Sequence, residues 1–447
     1  MQADVRAIDS AAGRLLGRLY DAAVFAAHPA GCLPAHLPAV PARGRLIVVG
    51  AGKAAAAMAQ AAEAHYAARG HGERVTGVTT APYGYAEALD GPRPHAIAIR
   101  SARHPTPDAA SVAAAEEALA LVAQAGPDDL VLVLLSGGAS ALWAAPVHGL
   151  DIAAKTALTR GLLKSGADIH EMNTVRRHIS RIKGGRLAAA ANGARVLTLA
   201  ISDVPGDDPA TIGSGPTVAD PTTLADARAI LARRQARMTE LGLPIPVEVL
   251  AALDDPANET PKPGSRSFAN AEYRIIATPA MALAAARKLA EREGCRAIDL
   301  GDQVTGEARD VAKQHAALAR EARAAGGRTL ILSGGELAVT VRNPSGRGGR
   351  CQEYALALAV ALDGLQGVSA FAADTDGIDG GEGRTTDPAG AAIDDRTLAR
   401  ARNRRLDATM FLDNNDATRF FEALGDLVIR GPTQTNVNDF RAILIEG

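Results

Sequence analysis

The 447-residue sequence predicts an α/β protein of two domains, the first built on a mostly parallel sheet. Three observations lead there. Short β-branched runs alternate with Ala-rich stretches of helical length, the pattern of a parallel sheet covered on both faces. The length exceeds what one core usually serves, since domains run about 100–200 residues. Several apolar runs also stop at glycine-rich loops, where open α/β sheets place their ligands.

The first series of strands is expected at Leu46–Val49, Val75–Thr79, Ala96–Ile99, Leu130–Leu135 and Val196–Ile201. Helical stretches such as Ala54–Arg69 and Ala109–Ala125 lie between them. Pro216, Pro221 and the charged stretch Arg233–Arg237 mark a change of regime, so the domain boundary is set near residue 235. Residues 254–269 read as a surface loop. A second series follows at Tyr273–Ala277, Arg296–Leu300, Thr329–Leu332, Leu337–Val341 and Ala370–Ala373. The stretch Asp4–His28 reads as an amphipathic helix broken by Arg14, Arg18 and Asp21, able to pack on either domain and not a signal sequence.

Apolar residues make up 47% of the chain but aromatics only 3%, so the core is expected to be Ala, Val, Leu and Ile. The net charge of −2 speaks against a nucleic-acid partner. No apolar run is long enough to span a bilayer. Cys32, Cys295 and Cys351 are scattered, with neither zinc spacing nor a disulfide framework, which fits a reducing cytoplasm.

Chemistry concentrates in a few loops. Val49-Gly50-Ala51-Gly52-Lys53-Ala54-Ala55 ends a strand and opens a helix. Glycines there let backbone amides approach an anion, and a helix N-terminus favours negative charge. The pattern nears the dinucleotide fingerprint, yet the next strand carries no terminal acid to hold a ribose. Ile47 and Ala54 stand where a Walker A loop needs Gly and Ser/Thr. A glycine loop with Lys53 remains, suited to phosphate or carboxylate; a tight turn with a solvated lysine fits the segment equally well.

Ser136-Gly137-Gly138 and Ser333-Gly334-Gly335-Glu336 both follow an apolar strand, so the two halves repeat a candidate anion nest, or a turn needing positive φ. From Arg176 to Arg186, five cations (Arg176, Arg177, Arg181, Lys183, Arg186) occur in eleven residues without an acid. Helical spacing would bring Arg177, Arg181 and Lys183 together on an anion, although such a run is more often a solvated face. Asp203 closes the strand ending at Ile201, and Asp207 and Asp208 follow in a turn; oxygen ligands of this kind suit Mg²⁺. Asn343–Glu353 is glycine-rich and carries Arg347 and Arg350 into an Ala/Leu helix. Asp374, Asp376 and Asp379 put three acids in six residues after an apolar strand, for a cation or a hydroxyl to be deprotonated. Gly431–Asp439, with Asn436, is dense in amides and hydroxyls and precedes a strand-like tail.

In combination and order, Gly50–Met58, Ser136–Leu142, Val175–Leu187, Ile201–Pro216, Ser333–Glu353, Asp374–Gly380 and Gly431–Phe440 resemble the glycerate 2-kinase family, whose C-terminal module is called MOFRL. Many members were labelled hydroxypyruvate reductases of tartrate operons. The resemblance implies a Rossmann-like N-terminal domain over 1–235, a mixed α/β MOFRL-type domain over 236–447, and an active site in the cleft between them. It implies ATP, Mg²⁺ and D-glycerate, yielding 2-phosphoglycerate.

Lys53, Arg350, Asp203 and Asp374 are then the expected catalytic residues. Gly50, Gly52, Ser136, Gly137, Gly138, Arg177, Arg181, Lys183, Ser333, Gly334, Gly335, Glu336, Arg347 and Asn436 would bind substrate or nucleotide. Asp203, Asp207, Asp374, Asp376 and Asp379 would serve the metal. Cys351 departs from the family, where Asn is expected, and Gly381–Thr386 resembles an insertion. Small molecules are the expected partners, with no nucleic acid or membrane; a homodimer is left open. The competing reading is an NAD(P)H-dependent hydroxypyruvate reductase, for which only the Gly50/Gly52 loop speaks, and a non-catalytic sugar-acid binding protein is more distant.

Overall fold

The structure, a computed structural model, describes residues 6–447, so Asp4 of the expected first helix lies outside the described residues. The chain divides into two compact units. One spans Cys32–Ile276; the other joins the N-terminal residues through Gly31 to Ala277–Gly447.

The first unit holds a six-stranded sheet. Its strands are β1 (Leu46–Ala51), β2 (Val75–Pro82), β3 (Ile97–Ala102), β4 (Leu130–Leu135), β5 (Arg195–Ile201) and β6 (Ala271–Ala277). Their order is β3-β2-β1-β4-β5-β6, with β3, β2, β1, β4 and β5 parallel. That order has a switch point between β1 and β4, the crevice where doubly wound sheets bind ligands. Every residue of β1 and of β4 is buried, which explains their unbroken apolar runs. Small residues let the helices come close: Ala55, Ala56, Ala59 and Ala62 are the buried face of the helix Ala55–Ala67.

The second unit contains β7 (Arg296–Asp299), β8 (Gly306–Glu307), β9 (Arg328–Ser333), β10 (Leu337–Ala338), β11 (Val368–Asp374), β12 (Gly390–Ile393), β13 (Leu427–Val428) and β14 (Asp439–Glu446). Six of them form a mixed sheet in the order β13-β12-β11-β14-β9-β7, in which only the β7–β9 pair is parallel. β8 and β10 form a separate parallel pair. The helix Ala11–Ala27 belongs to this unit, where Tyr20 packs edge-on against Phe440 and near Phe371.

Three sequence expectations need correction. The boundary expected near residue 235 falls inside the helix Leu224–Glu240, and the first unit runs on to Ile276. The strand at Tyr273–Ala277 accordingly lies beside β5 in the first sheet instead of opening the second series. Charge density misled here, because Arg233 and Arg234 pair with Glu171 on the surface of a continuous helix. Of Leu337–Val341, only Leu337 and Ala338 are strand. β12, a Gly-Ala-Ala-Ile run, has Ile393 as its one β-branched residue and was not foreseen.

Candidate functional site

At the carboxyl edge of β1 and β4, two loops interlock. Gly52 has φ +137°, and a Cβ there would lie 2.1 Å from Ser136 Oγ, so only glycine permits the approach. The Lys53 amide donates to Gly137 O at 2.8 Å, and the Ala54 amide donates to Ser136 Oγ at 2.9 Å. Gly50 serves packing: a Cβ would meet Leu134 O at 2.6 Å. Gly138, at φ +86°, supports the helical turn Ala139–Leu142, and a Cβ there would touch the His104 ring at 3.0 Å and the Lys53 stem at 3.6 Å. Burial first, then the Lys53 charge, push the His104 pKa down to about 4, so this imidazole is neutral at physiological pH.

Gly138 opens on a cavity of about 650 Å³ that His104, Ser140, Lys155, Arg176 and Lys183 also line. Lys183 Nζ donates to Ser140 O at 2.8 Å and to Ser140 Oγ at 3.0 Å. Lys155 is 5% exposed, and its Nζ has no hydrogen-bond partner among the described residues. Burial, then the neighbouring Arg176, lower the Lys155 pKa to about 7. Burial, then Lys155 and Arg176, hold Lys183 well below the usual lysine range. The sequence pointed to Gly138 and Lys183 but not to Lys155 or His104. A signal for Lys155 existed: it shares the buried face of the helix Ile152–Lys164 with Leu158 and Leu162, an unusual position for a lysine.

The other cations of the basic run do not join it. The helix Ile169–His178 ends before Arg181, and Ser180 instead bridges to Pro146, so helical spacing no longer applies. Arg177 is buried on Asp220 at 2.8 Å. Arg181 pairs with Glu116 and donates to Pro146 O. His178 sits between Thr174 O and Glu259 Oε1, a structural role.

After β5, Asp203 and Asp207 occupy the loop at the sheet's carboxyl edge. Asp208 caps the following turn through Ala210 N and Thr211 Oγ1, whereas the buried Asp207 Oδ1 has no hydrogen-bond partner among the described residues.

In the second unit, Arg350 opens the helix Arg350–Leu362 and reaches three carboxylates: Asp439 at 2.7 Å, Asp374 at 2.7 Å and Glu336 at 2.9 Å. Burial opposes its charge, but Asp374, Asp439 and Glu336 outweigh burial, so its pKa is raised. Tyr20 donates to Asp374 O at 2.8 Å, tying the N-terminal helix to this cluster. Asp376 turns back, its Oδ1 accepting from Ile378 N. Asn436 Oδ1 accepts from Asn438 N at 3.3 Å within the polar loop before β14.

Asp379 does not behave as a metal ligand. Its oxygens accept from Cys351 N, Gln352 N and Gln352 Nε2, capping the helix, and burial raises its pKa to about 7. Ser333-Gly334-Gly335 is filled by protein: Arg441 Nε donates to Ser333 Oγ at 3.1 Å, and its guanidinium also meets Gly334 O. Arg347 lies outward, with Glu422 at 3.4 Å. The Cys351 side chain is buried in the apolar core, where its thiol is pushed up by burial. The stretch Gly381–Thr386 folds around Asp387, which accepts from Glu382 N and Arg384 N. Among the described residues, no group of three or more His, Cys, Asp or Glu could hold a metal by itself.

Comparison with known proteins gives two family matches. Residues 15–248 match a domain of unknown function, DUF4147, and residues 329–439 match the MOFRL family. The chain is 47% identical over 442 residues to a protein of Agrobacterium vitis provisionally named a hydroxypyruvate reductase, covering 98% of this chain and 95% of that one. It is 37% identical to the D-glycerate 2-kinase of Thermotoga maritima, covering 88% and 89% of the two chains. The crystal structure of a glycerate kinase from Thermotoga maritima superposes with a TM-score of 0.82 at 35% identity, covering 97% of this chain and 99% of that chain.

Proposed function

The chain belongs to the glycerate 2-kinase family, and from that premise we infer that it transfers the γ-phosphoryl group of ATP to the 2-hydroxyl of D-glycerate. The observation that carries this reading is the Lys53–Gly138 edge of the parallel sheet, which opens on the basic side chains Lys155, Arg176 and Lys183, with no carboxylate partner among the described residues. Such a site is built for a highly charged anion. The reductase name borne by one relative asks for something else. A nicotinamide dinucleotide needs an acid at the end of β2 for its ribose. Thr79, Thr80, Ala81 and Pro82 stand there.

Phosphoryl transfer is mostly positioning and charge stabilisation. Lys53 stands at the rim of the cationic edge and neutralises charge on the transferring group. Within the second unit, Asp374 and Asp376 present carboxylates, and Arg350 is a cation held in place by three acids. For Mg²⁺, the orphaned Oδ1 of Asp207 and the nearby Asp203 fit the need for one or two carboxylates beside substrate phosphates. The ion would neutralise phosphate charge. Neutral His104 packs against the Gly138 turn. Free cysteines at 32, 295 and 351 agree with a cytoplasmic enzyme. No described helix is long and apolar enough to cross a membrane.

The test is direct. Purified protein incubated with ATP, Mg²⁺ and D-glycerate should yield ADP and 2-phosphoglycerate by phosphorus NMR. ADP without a phosphoglycerate, or stoichiometric NADH oxidation with hydroxypyruvate, would refute the kinase reading.

A further inference from the structure

The cavity beside Gly138 gathers more basic side chains than a substrate carboxylate needs. Lys155 comes from the helix Ile152–Lys164, Arg176 from the helix Ile169–His178, and Lys183 from the segment after it. Among the described residues, none of the three has a carboxylate within ion-pair distance and no Asp or Glu lines the cavity. The remaining titratable groups there are His104 and Arg160, so every ionisable group facing Lys155 is basic or neutral. Burying unpaired cations together costs stability, and such a cost is retained where a ligand offsets it.

We propose that Lys155, Arg176 and Lys183 form the receptor for the nucleotide's polyphosphate chain. The charge count selects the ligand. Glycerate brings one carboxylate, whereas phosphate groups carry roughly one to two charges each. The hydroxyls of Ser140, Thr156 and Thr159 at the same wall suit phosphate oxygens. The lowered Lys155 pKa leaves the empty cavity short of a proton just above neutrality, and an arriving polyanion restores it. The choice of nucleotide over another polyphosphate rests on the kinase reading; the receptor itself does not.

Calorimetry of the full chain at pH 8, in two buffers of different ionisation enthalpy, tests this with inorganic tripolyphosphate, ATP and D-glycerate. Tripolyphosphate should bind with net proton uptake, since burial lowers both Lys155 and Lys183 in the empty cavity. Lys155→Met should weaken tripolyphosphate at least ~10-fold, raise KM for ATP similarly, reduce the uptake and leave KM for D-glycerate within about twofold. Its melting temperature should not fall below that of the native chain, because a buried unpaired cation is removed. The gain should be largest below pH 7, where folded Lys155 is charged, and shrink as pH rises towards the free-lysine value. Arg176→Gln should reproduce the loss of tripolyphosphate binding. Unchanged tripolyphosphate affinity in both variants, or a loss confined to D-glycerate, would overturn the proposal. Lys155-dependent tripolyphosphate binding in a protein that forms no phosphoglycerate would support the receptor and sink the kinase reading.

Discussion

Ser136-Gly137-Gly138 follows β4 and Ser333-Gly334-Gly335 follows β9, and in both the last glycine sits at φ +86°. The backbone is alike, yet the surroundings are opposite. In the first loop, Ser136 and Gly137 accept amides of the Lys53 turn, and Gly138 faces a cavity. In the second, Arg441 occupies the loop, the Gly334 amide goes to Gly301 O at 2.8 Å, and a Cβ on Gly335 would lie 2.4 Å from Val304 O. One loop borders a cavity and the other is a buried joint. The tripeptide supplies a turn; what fills the space beyond the turn decides whether the turn can receive an anion.

The comparison can be broken most forcefully at the arginine of the closed loop. Arg441 is 1% exposed and pairs with buried Asp439 at 2.7 Å. Arg441→Met should cost ~3–5 kcal/mol, the scale of stranding a buried charge, read as a fall in urea midpoint and melting temperature. An unchanged melting curve would mean the loop does not depend on its plug. The matching cation of the open loop should behave oppositely. Lys53→Ala should lower kcat/KM by at least ~10²-fold with little change in circular dichroism or melting temperature. Near-native turnover would make it an ordinary solvated lysine.

The glycines sharpen the contrast with a smaller effect. Gly335→Ala meets both a left-handed φ and a backbone oxygen, and should lose ~1–3 kcal/mol of stability. Gly138→Ala meets the same φ but mainly the His104 ring. It should lose about 1 kcal/mol and show its main effect as weaker ATP binding. Equal stability losses in the two variants would erase the distinction.

Strand–helix alternation in the sequence was enough for an α/β class, and short β-branched or apolar runs placed β1, β2, β4 and β5 to within a few residues. Periodicity is a local property, so these elements are legible without tertiary information. The Lys53 loop was legible for the same reason, since a strand, two glycines and a helix start are consecutive. The division at Ile276 was not, because which strands pair is settled by the sheet and not by charge runs. Nor was the fate of the basic stretch. Arg177, Arg181 and Lys183 are six residues apart at most, yet Asp220, Glu116 and Ser140 draw them in three directions. Lys155 gathers with Arg176 and Lys183 only when two helices and a loop pack together. Sequence fixes which groups exist and their local conformation; tertiary packing alone decides which charges lose water and which find partners, and so where an anion can bind.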